Sequence, residues 1–188
     1  MSNNNLTGGS KIYKNGDIIE TDETFNGKHF FRKVFYDDNF NAERYIELRK
    51  AANAEIKISN ILIKNPFPNI VTFYEINDDY IEMEELDMET KLKPEKVKET
   101  MEKVKEFFQS LGIMYIDWKI DNIGISKDGT GTYKLFDFDV SGFVDLKTNE
   151  WIVKPLEYWS YNTAVENGCN TPQEIDDYSF NYLFIKDL

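Results

Sequence analysis

Four side chains near the middle of the chain could do chemistry together. Asp117, Lys119 and Asn122 fall within Met114-Tyr-Ile-Asp-Trp-Lys-Ile-Asp-Asn-Ile-Gly124, and Asp137 follows in Lys134-Leu-Phe-Asp-Phe-Asp-Val-Ser-Gly142. A carboxylate can orient an acceptor hydroxyl. A lysine can stand beside a moving phosphate. An amide oxygen and a second carboxylate can hold magnesium. Together they are the side chains that phosphoryl transfer from ATP requires. Any one of them alone reads as part of a polar turn; the combination is what carries information.

Such a set needs elements to hold it. From Ser10 to Tyr36 the chain reads as β structure, with turns at Asn15-Gly16 and Asn26-Gly27. Strand candidates are Ile12-Tyr13, Ile18-Ile19 and Phe30 to Tyr36. Residues 41–63 read as a helix, favoured by Ala51, Ala52 and Ala54, with Ile46, Ile56 and Leu62 or Ile63 on its apolar face and Pro66 and Pro68 beyond it. Ile70–Tyr74 and Tyr80–Met83 read as two strands, and Asp87–Lys93 as a linker. Pro94 opens a helix whose apolar stripe is Val97, Met101, Val104, Phe108 and Leu111, stopped by Gly112. Ile123–Ile125 and Tyr133–Phe136 flank a turn at residues 127–131. The chain is expected to be irregular after Gly142, until a last helix begins near Thr171-Pro172 with Thr171 as its N-cap.

The two central motifs resemble the catalytic loop and the metal-binding Asp-Phe-Gly segment of protein kinases. Asp117 precedes Asn122 by five positions, the spacing of that catalytic loop, and Asp137 lies twenty positions beyond Asp117. Other parts of the chain extend the likeness. Phe30-Phe-Arg-Lys-Val-Phe35 is similar to the strand carrying the kinase ATP lysine, which implies Lys33. Glu55-Ile-Lys-Ile-Ser-Asn-Ile-Leu62 is similar to the helix that supplies its partner, which implies Glu55. Tyr80-Ile-Glu-Met-Glu-Glu-Leu86 looks like the strand and hinge that receive adenine. By that match Met83 is the gatekeeper, and the backbone of Glu84, Glu85 and Leu86 bonds the base. Asp176-Asp-Tyr-Ser-Phe180 resembles the start of the central helix of the kinase C-lobe, so Asp176 would brace the catalytic loop from beneath.

The resemblance implies an α+β, two-lobed protein kinase-like fold. Residues 1–9 would be a flexible N-terminus, 10–86 a β-rich N-lobe with one helix, and 87–188 a shortened helical C-lobe holding both loops. The implied activity is that of a minimal Ser/Thr protein kinase using ATP and Mg²⁺, with Asp117 and Lys119 catalytic and Asn122 and Asp137 on the metal. The alternatives are a kinase for a small molecule or sugar, and a pseudokinase that acts as a binding or inhibitory partner.

The chain also departs from the family pattern. Gly8-Gly9-Ser10-Lys-Ile12 lacks the full glycine-loop spacing. Tyr115 and Ile116 replace the His and Arg before the catalytic aspartate, which argues against activation by loop phosphorylation. Asp139 replaces the glycine after Phe138. The chain ends twelve residues beyond Asp176, so the later C-lobe helices are expected to be missing and Phe180, Leu183 and Phe184 partly bare. That surface would pair with a second copy or a partner protein.

Composition narrows the partners. Net charge is −12 with a pI near 4.6, which disfavours nucleic acid and anionic membranes and suits a basic protein substrate. The single cysteine, Cys169, and the single histidine, His29, can form neither an internal disulfide nor a zinc site. No signal peptide or membrane span is read in the sequence, so a cytoplasmic, intracellular location is expected. The bias to Asn, Lys, Ile and Asp is that of an AT-rich genome, viral or bacterial.

Overall fold

The computed structural model of the 188-residue chain describes residues 10–14, 17–35 and 42–188. The expected N-terminal segment 1–9, Gly8-Gly9 and the Asn15-Gly16 turn lie outside the described residues, as does the side chain of Ile46.

The fold is mixed α/β. The first sheet contains β1 (Ser10–Lys14), β2 (Asp17–Thr21), β3 (Phe30–Val34), β4 (Phe73–Ile76) and β5 (Tyr80–Glu84), in the order β2-β1-β3-β5-β4. Only the β1–β3 pair is parallel. Between β3 and β4 runs α1 (Ala42–Lys64). Its buried residues Ala51, Ala52, Glu55, Ile58, Ser59 and Leu62 recur at helical spacing, so one face turns inward and carries Glu55 with it.

Beyond β5 come β6 (Leu86–Asp87), α2 (Pro94–Leu111), β7 (Ile113–Met114), β8 (Ile123–Ser126) and β9 (Tyr133–Leu135). Pro94 begins α2 where its missing N–H has no helical partner to lose. Gly112 ends it at φ +76, and a Cβ there would lie 2.7 Å from the Val144 carbonyl oxygen. The sequence reading placed Asp87 in a linker and started a strand at Ile70. Instead β6 pairs with β8, and Ile70 forms a single bridge to Leu135.

The segment after Gly142 is also more ordered than expected. It forms a hairpin-like pair, β10 (Gly142–Val144) and β11 (Trp151–Val153), and then helix α3 (Trp159–Glu166). These strands are three residues long and α3 has eight, too short for periodicity to register. Helix α4 (Pro172–Tyr178) opens with Thr171 in a full capping box with Glu174. A π-turn at Ser179–Phe184 and a short 3₁₀ turn follow.

One continuous core joins the sheet to the helices, from Ile58, Phe73 and Met83 through Met101, Phe108 and Phe138 to Phe180 and Phe184. Phe138 meets Phe73, Phe108 and Tyr115 at ring separations of 5.9, 6.2 and 5.8 Å. Trp118 continues the stack onto Phe180 at 4.8 Å and Phe184 at 6.2 Å. This overturns the expected bare surface: Phe180 and Phe184 are buried and Leu183 is half-buried. Trp118, in the loop between β7 and β8, fills the space against which these rings pack.

Candidate active site

Strand β3 and helix α1 bring Lys33 and Glu55 together although 22 positions separate them. Lys33 Nζ lies 2.9 Å from Glu55 Oε2, 2.7 Å from Asp137 Oδ1 and 3.6 Å from Asp139 Oδ2. Burial alone would lower the Lys33 pKa, but the three carboxylates outweigh it and hold the ammonium well above its ordinary range. Burial raises Glu55 to about 7; Lys33 opposes this, and Asp137 and Asp139 add to it. Asp137 moves the other way: burial pushes its pKa up, and contact with Lys33 more than offsets that, leaving it below its usual value. Asp139 is raised by burial, with Asp137 and Asp117 reinforcing the shift against the pull of Lys33. At the core side of the cluster, Phe138 N–H points to Glu55 Oε1 at 3.4 Å.

The loop from β7 to β8 holds the second group. Lys119 Nζ bonds Asp117 Oδ2 at 2.5 Å. The Asn122 amide nitrogen donates to the Tyr115 hydroxyl at 2.9 Å, and to Asp117 O and Oδ2 at 3.2 Å each. Its nitrogen is spent on the loop, so its carbonyl oxygen is the atom that can meet a cation. Backbone strain marks both motifs. Ile116 has φ +65 and Asp137 φ +64, in the region that L-residues with a Cβ avoid. Each such position costs on the order of 1–3 kcal/mol and persists only where its surroundings enforce it.

A cavity of about 640 Å³ is lined by residues that neighbour members of this cluster along the chain. Phe31, Val71, Met83, Leu86 and Phe136 line its apolar part, and Glu85 lies at its edge. Phe31 shares a strand face with Lys33, two residues on, and Phe136 directly precedes Asp137. Two of its lining residues thus lie within two positions of the charged groups. Met83 is buried in its wall. Glu85 is held by Lys127 at 2.9 Å and faces Lys11 at 3.7 Å.

Glu84 also lines the cavity, and several of its groups are already engaged. Its N–H donates to the Thr72 carbonyl at 2.8 Å. Its carboxylate accepts from Thr72 N–H at 2.6 Å, from the Ser126 hydroxyl at 3.2 Å and from Lys134. Glu84 is thus a strut joining β4, β5, β8 and β9. Glu85 and Leu86 line the cavity as well.

Several neighbours of the site escaped the sequence reading. Tyr115 hydroxyl donates to the Phe136 carbonyl at 2.7 Å while accepting from Asn122, so it ties the two motifs together. Ser160, at the start of α3, donates to Asp117 Oδ1 at 3.3 Å. Asp176 accepts from Ile116 N–H and Trp118 Nε1–H, the bracing anticipated for it. Lys105, which bonds Asp176 in turn, falls within the apolar stripe of α2, and a lysine on that stripe was the available signal.

No family model matches the sequence, and no curated protein does. Among solved structures the chain is similar to the Rio2 kinase of Chaetomium thermophilum, crystallised as an ADP/Mg²⁺–phosphoaspartate complex, at a TM-score of 0.43 and 17% identity. The match covers 81% of this chain and 47% of that one, so this chain spans about half the length of that structure.

Proposed function

We propose that this chain is an ATP- and Mg²⁺-dependent phosphotransferase of the protein kinase type, acting on Ser/Thr hydroxyls of a protein. The observation that carries this reading is the placement of Lys33 within 2.9 Å of Glu55 and 2.7 Å of Asp137. Lys33, charged and steered by Glu55, is suited to the nucleotide phosphates. The apolar cavity between Phe31, Val71, Met83, Leu86 and Phe136 suits a flat base, with Glu85 and Leu86 on its hinge side.

The donor set fits magnesium. Asn122 and Asp137 offer hard oxygen ligands, and no three His, Cys, Asp or Glu side chains are gathered for a metal among the described residues. Two protein ligands suit an ion that keeps waters and phosphate oxygens for the rest of its shell. When bound, Mg²⁺ neutralises charge on the transferring phosphoryl group. Asp117 accepts the proton of the acceptor hydroxyl and aligns it. Lys119, 2.5 Å from Asp117 Oδ2, can swing to the phosphate once the acceptor arrives. The test is incubation with Mg²⁺ and γ-labelled ATP, with and without a generic basic protein. Asp137→Asn should lower transfer by on the order of 10³-fold or more through loss of an anionic ligand. Equal turnover by this variant and the parent would remove Asp137 from the metal site.

A further inference from the structure

Asp117 follows a backbone position that needs support. Its N–H donates to the Tyr115 carbonyl at 2.8 Å, closing a three-residue turn centred on Ile116 at φ +65. Such turns are rare, and a β-branched residue at the centre makes this one harder to form. Two donors of the turn meet one acceptor: Ile116 N–H lies 3.0 Å and Trp118 Nε1–H 2.8 Å from Asp176 Oδ1. The Asp176 side chain is only 1% exposed. A carboxylate this buried needs donors and a compensating charge around it.

Helix α2 supplies that cation from the opposite side. Lys105 Nζ is 2.9 Å from Asp176 Oδ2 and 2.6 Å from Asp177 Oδ1, and stands 5.5 Å from the centre of the Phe180 ring. Gln173 holds Asp177 in place at 3.1 Å. Among the described residues no other cation pairs with Asp176. Burial would lower the Lys105 pKa, but Asp176 and Asp177 more than reverse this and hold it raised.

We infer that Lys105 is a positioning residue: through Asp176 it holds Ile116 in its left-handed conformation and so fixes the carboxylate of Asp117. Lys105 touches neither the cavity nor Asp117. Its neutralisation should leave the buried Asp176 carboxylate without its cation and free to reorient, and the turn then loses its fixed acceptor. The kinetic side of this inference rests on the phosphotransferase reading; the structural side does not.

The test uses the full chain with Lys105→Met and Lys105→Arg, and Lys103→Met as a control. Lys103 pairs only with Glu99 on the solvent side of the same helix. Amide and indole NMR reports the environment of Ile116 N–H and Trp118 Nε1–H directly, with Trp118→Phe assigning its signal among the three tryptophans. Lys105→Met should displace both resonances and lower kcat roughly tenfold to a hundredfold, as a small misplacement of a catalytic group does. The KM for ATP should change less than about twofold, because the nucleotide groups are untouched. Lys105→Arg should recover most of kcat, and Lys103→Met should alter nothing. If Lys105→Met fails to fold, Lys105→Met/Asp176→Asn removes both charges at once. Its kcat should then equal that of Asp176→Asn alone, since both act on one carboxylate. A folded Lys105→Met with parental Ile116 and Trp118 resonances overturns the inference, as does a double variant whose kcat differs clearly from that of Asp176→Asn alone. If the parent transfers no phosphate at all, the phosphotransferase reading fails and the resonances alone decide the role of Lys105.

Discussion

At the scale of single residues, the site sorts its charges by burial and contact. Lys33 faces three carboxylates, and they differ because their surroundings differ. Asp137 touches Lys33 directly and ionises easily; Glu55 is held in the core and ionises late. The consequence for stability has a definite sign. Glu55 has an ordinary value of 4.5 and rises to about 7 when folded, so between these pH values the folded chain binds more protons than the unfolded one. Its contribution is full below about 4.5 and is lost as pH rises through about 7. Metal-free protein should therefore melt at progressively lower temperature across that interval. Glu55→Gln should flatten the part of the slope that Glu55 causes, while Asp139, shifted the same way, retains its own share. Thermal melts in chelator at several pH values measure this. Matching slopes for variant and parent would mean that Glu55 stays ionised throughout.

Two other residues should separate by kind of defect. On the proposed reading Asp117 acts on the acceptor, so Asp117→Ala should lower kcat with nucleotide binding nearly unchanged. Lys33→Met should weaken nucleotide positioning as well, since on the proposed reading Lys33 meets the phosphates. Titration calorimetry with an ATP analogue distinguishes them. Equal losses of nucleotide affinity would show that the two roles are misassigned.

At the scale of elements, short-range signals explain the ends of helices better than the sheets. Thr171 caps α4 through a reciprocal bond with Glu174, both readable in sequence. Gly112 does more than stop α2: it turns the chain back toward β10, and Val144 N–H donates to its carbonyl at 2.9 Å. Gly112→Ala would combine a left-handed conformation with a Cβ 2.7 Å from the Val144 oxygen. We expect a loss of about 1–3 kcal/mol, by analogy with other residues forced into sparse backbone regions. Denaturant unfolding reads this out. An unchanged midpoint would show that the α2–β7 corner relaxes freely. Glu84 illustrates the opposite limit, because its partners Thr72, Ser126 and Lys134 come from positions that no local pattern connects.

At the scale of the whole molecule, the aromatic stack replaces what the sequence suggested would be an open surface. Phe184 lies 5.6 Å from Phe180 and 6.2 Å from Trp118, and is only 3% exposed. Phe184→Ala should cost about 3–5 kcal/mol, the range for deleting a buried ring. On a domain of ordinary stability that is a large share of the total. Unfolding midpoints test the loss. A variant as stable as the parent would show that the ring is dispensable and that the C-terminal turns are held elsewhere. The net charge of −12 acts at this scale too: binding of a basic acceptor should weaken as salt rises.

The sequence by itself determined the chemistry that could occur and most of the elements that carry it. Asp117, Lys119, Asn122 and Asp137 stand out in sequence because the chemistry open to them depends on residue type at short spacing, which survives in one dimension. The stripe of α2, its proline start and glycine stop, and the cap of α4 are legible for the same reason. Tertiary structure decided what depends on long-range approach. It set Lys33 between Glu55, Asp137 and Asp139, and it spent Glu84 on sheet contacts. It folded Phe180 and Phe184 onto Trp118, and it brought Lys105 to Asp176 across 71 positions. A buried charge must find its partner and an apolar ring its cover wherever the fold supplies them, and neither requirement leaves a mark at fixed spacing along the chain.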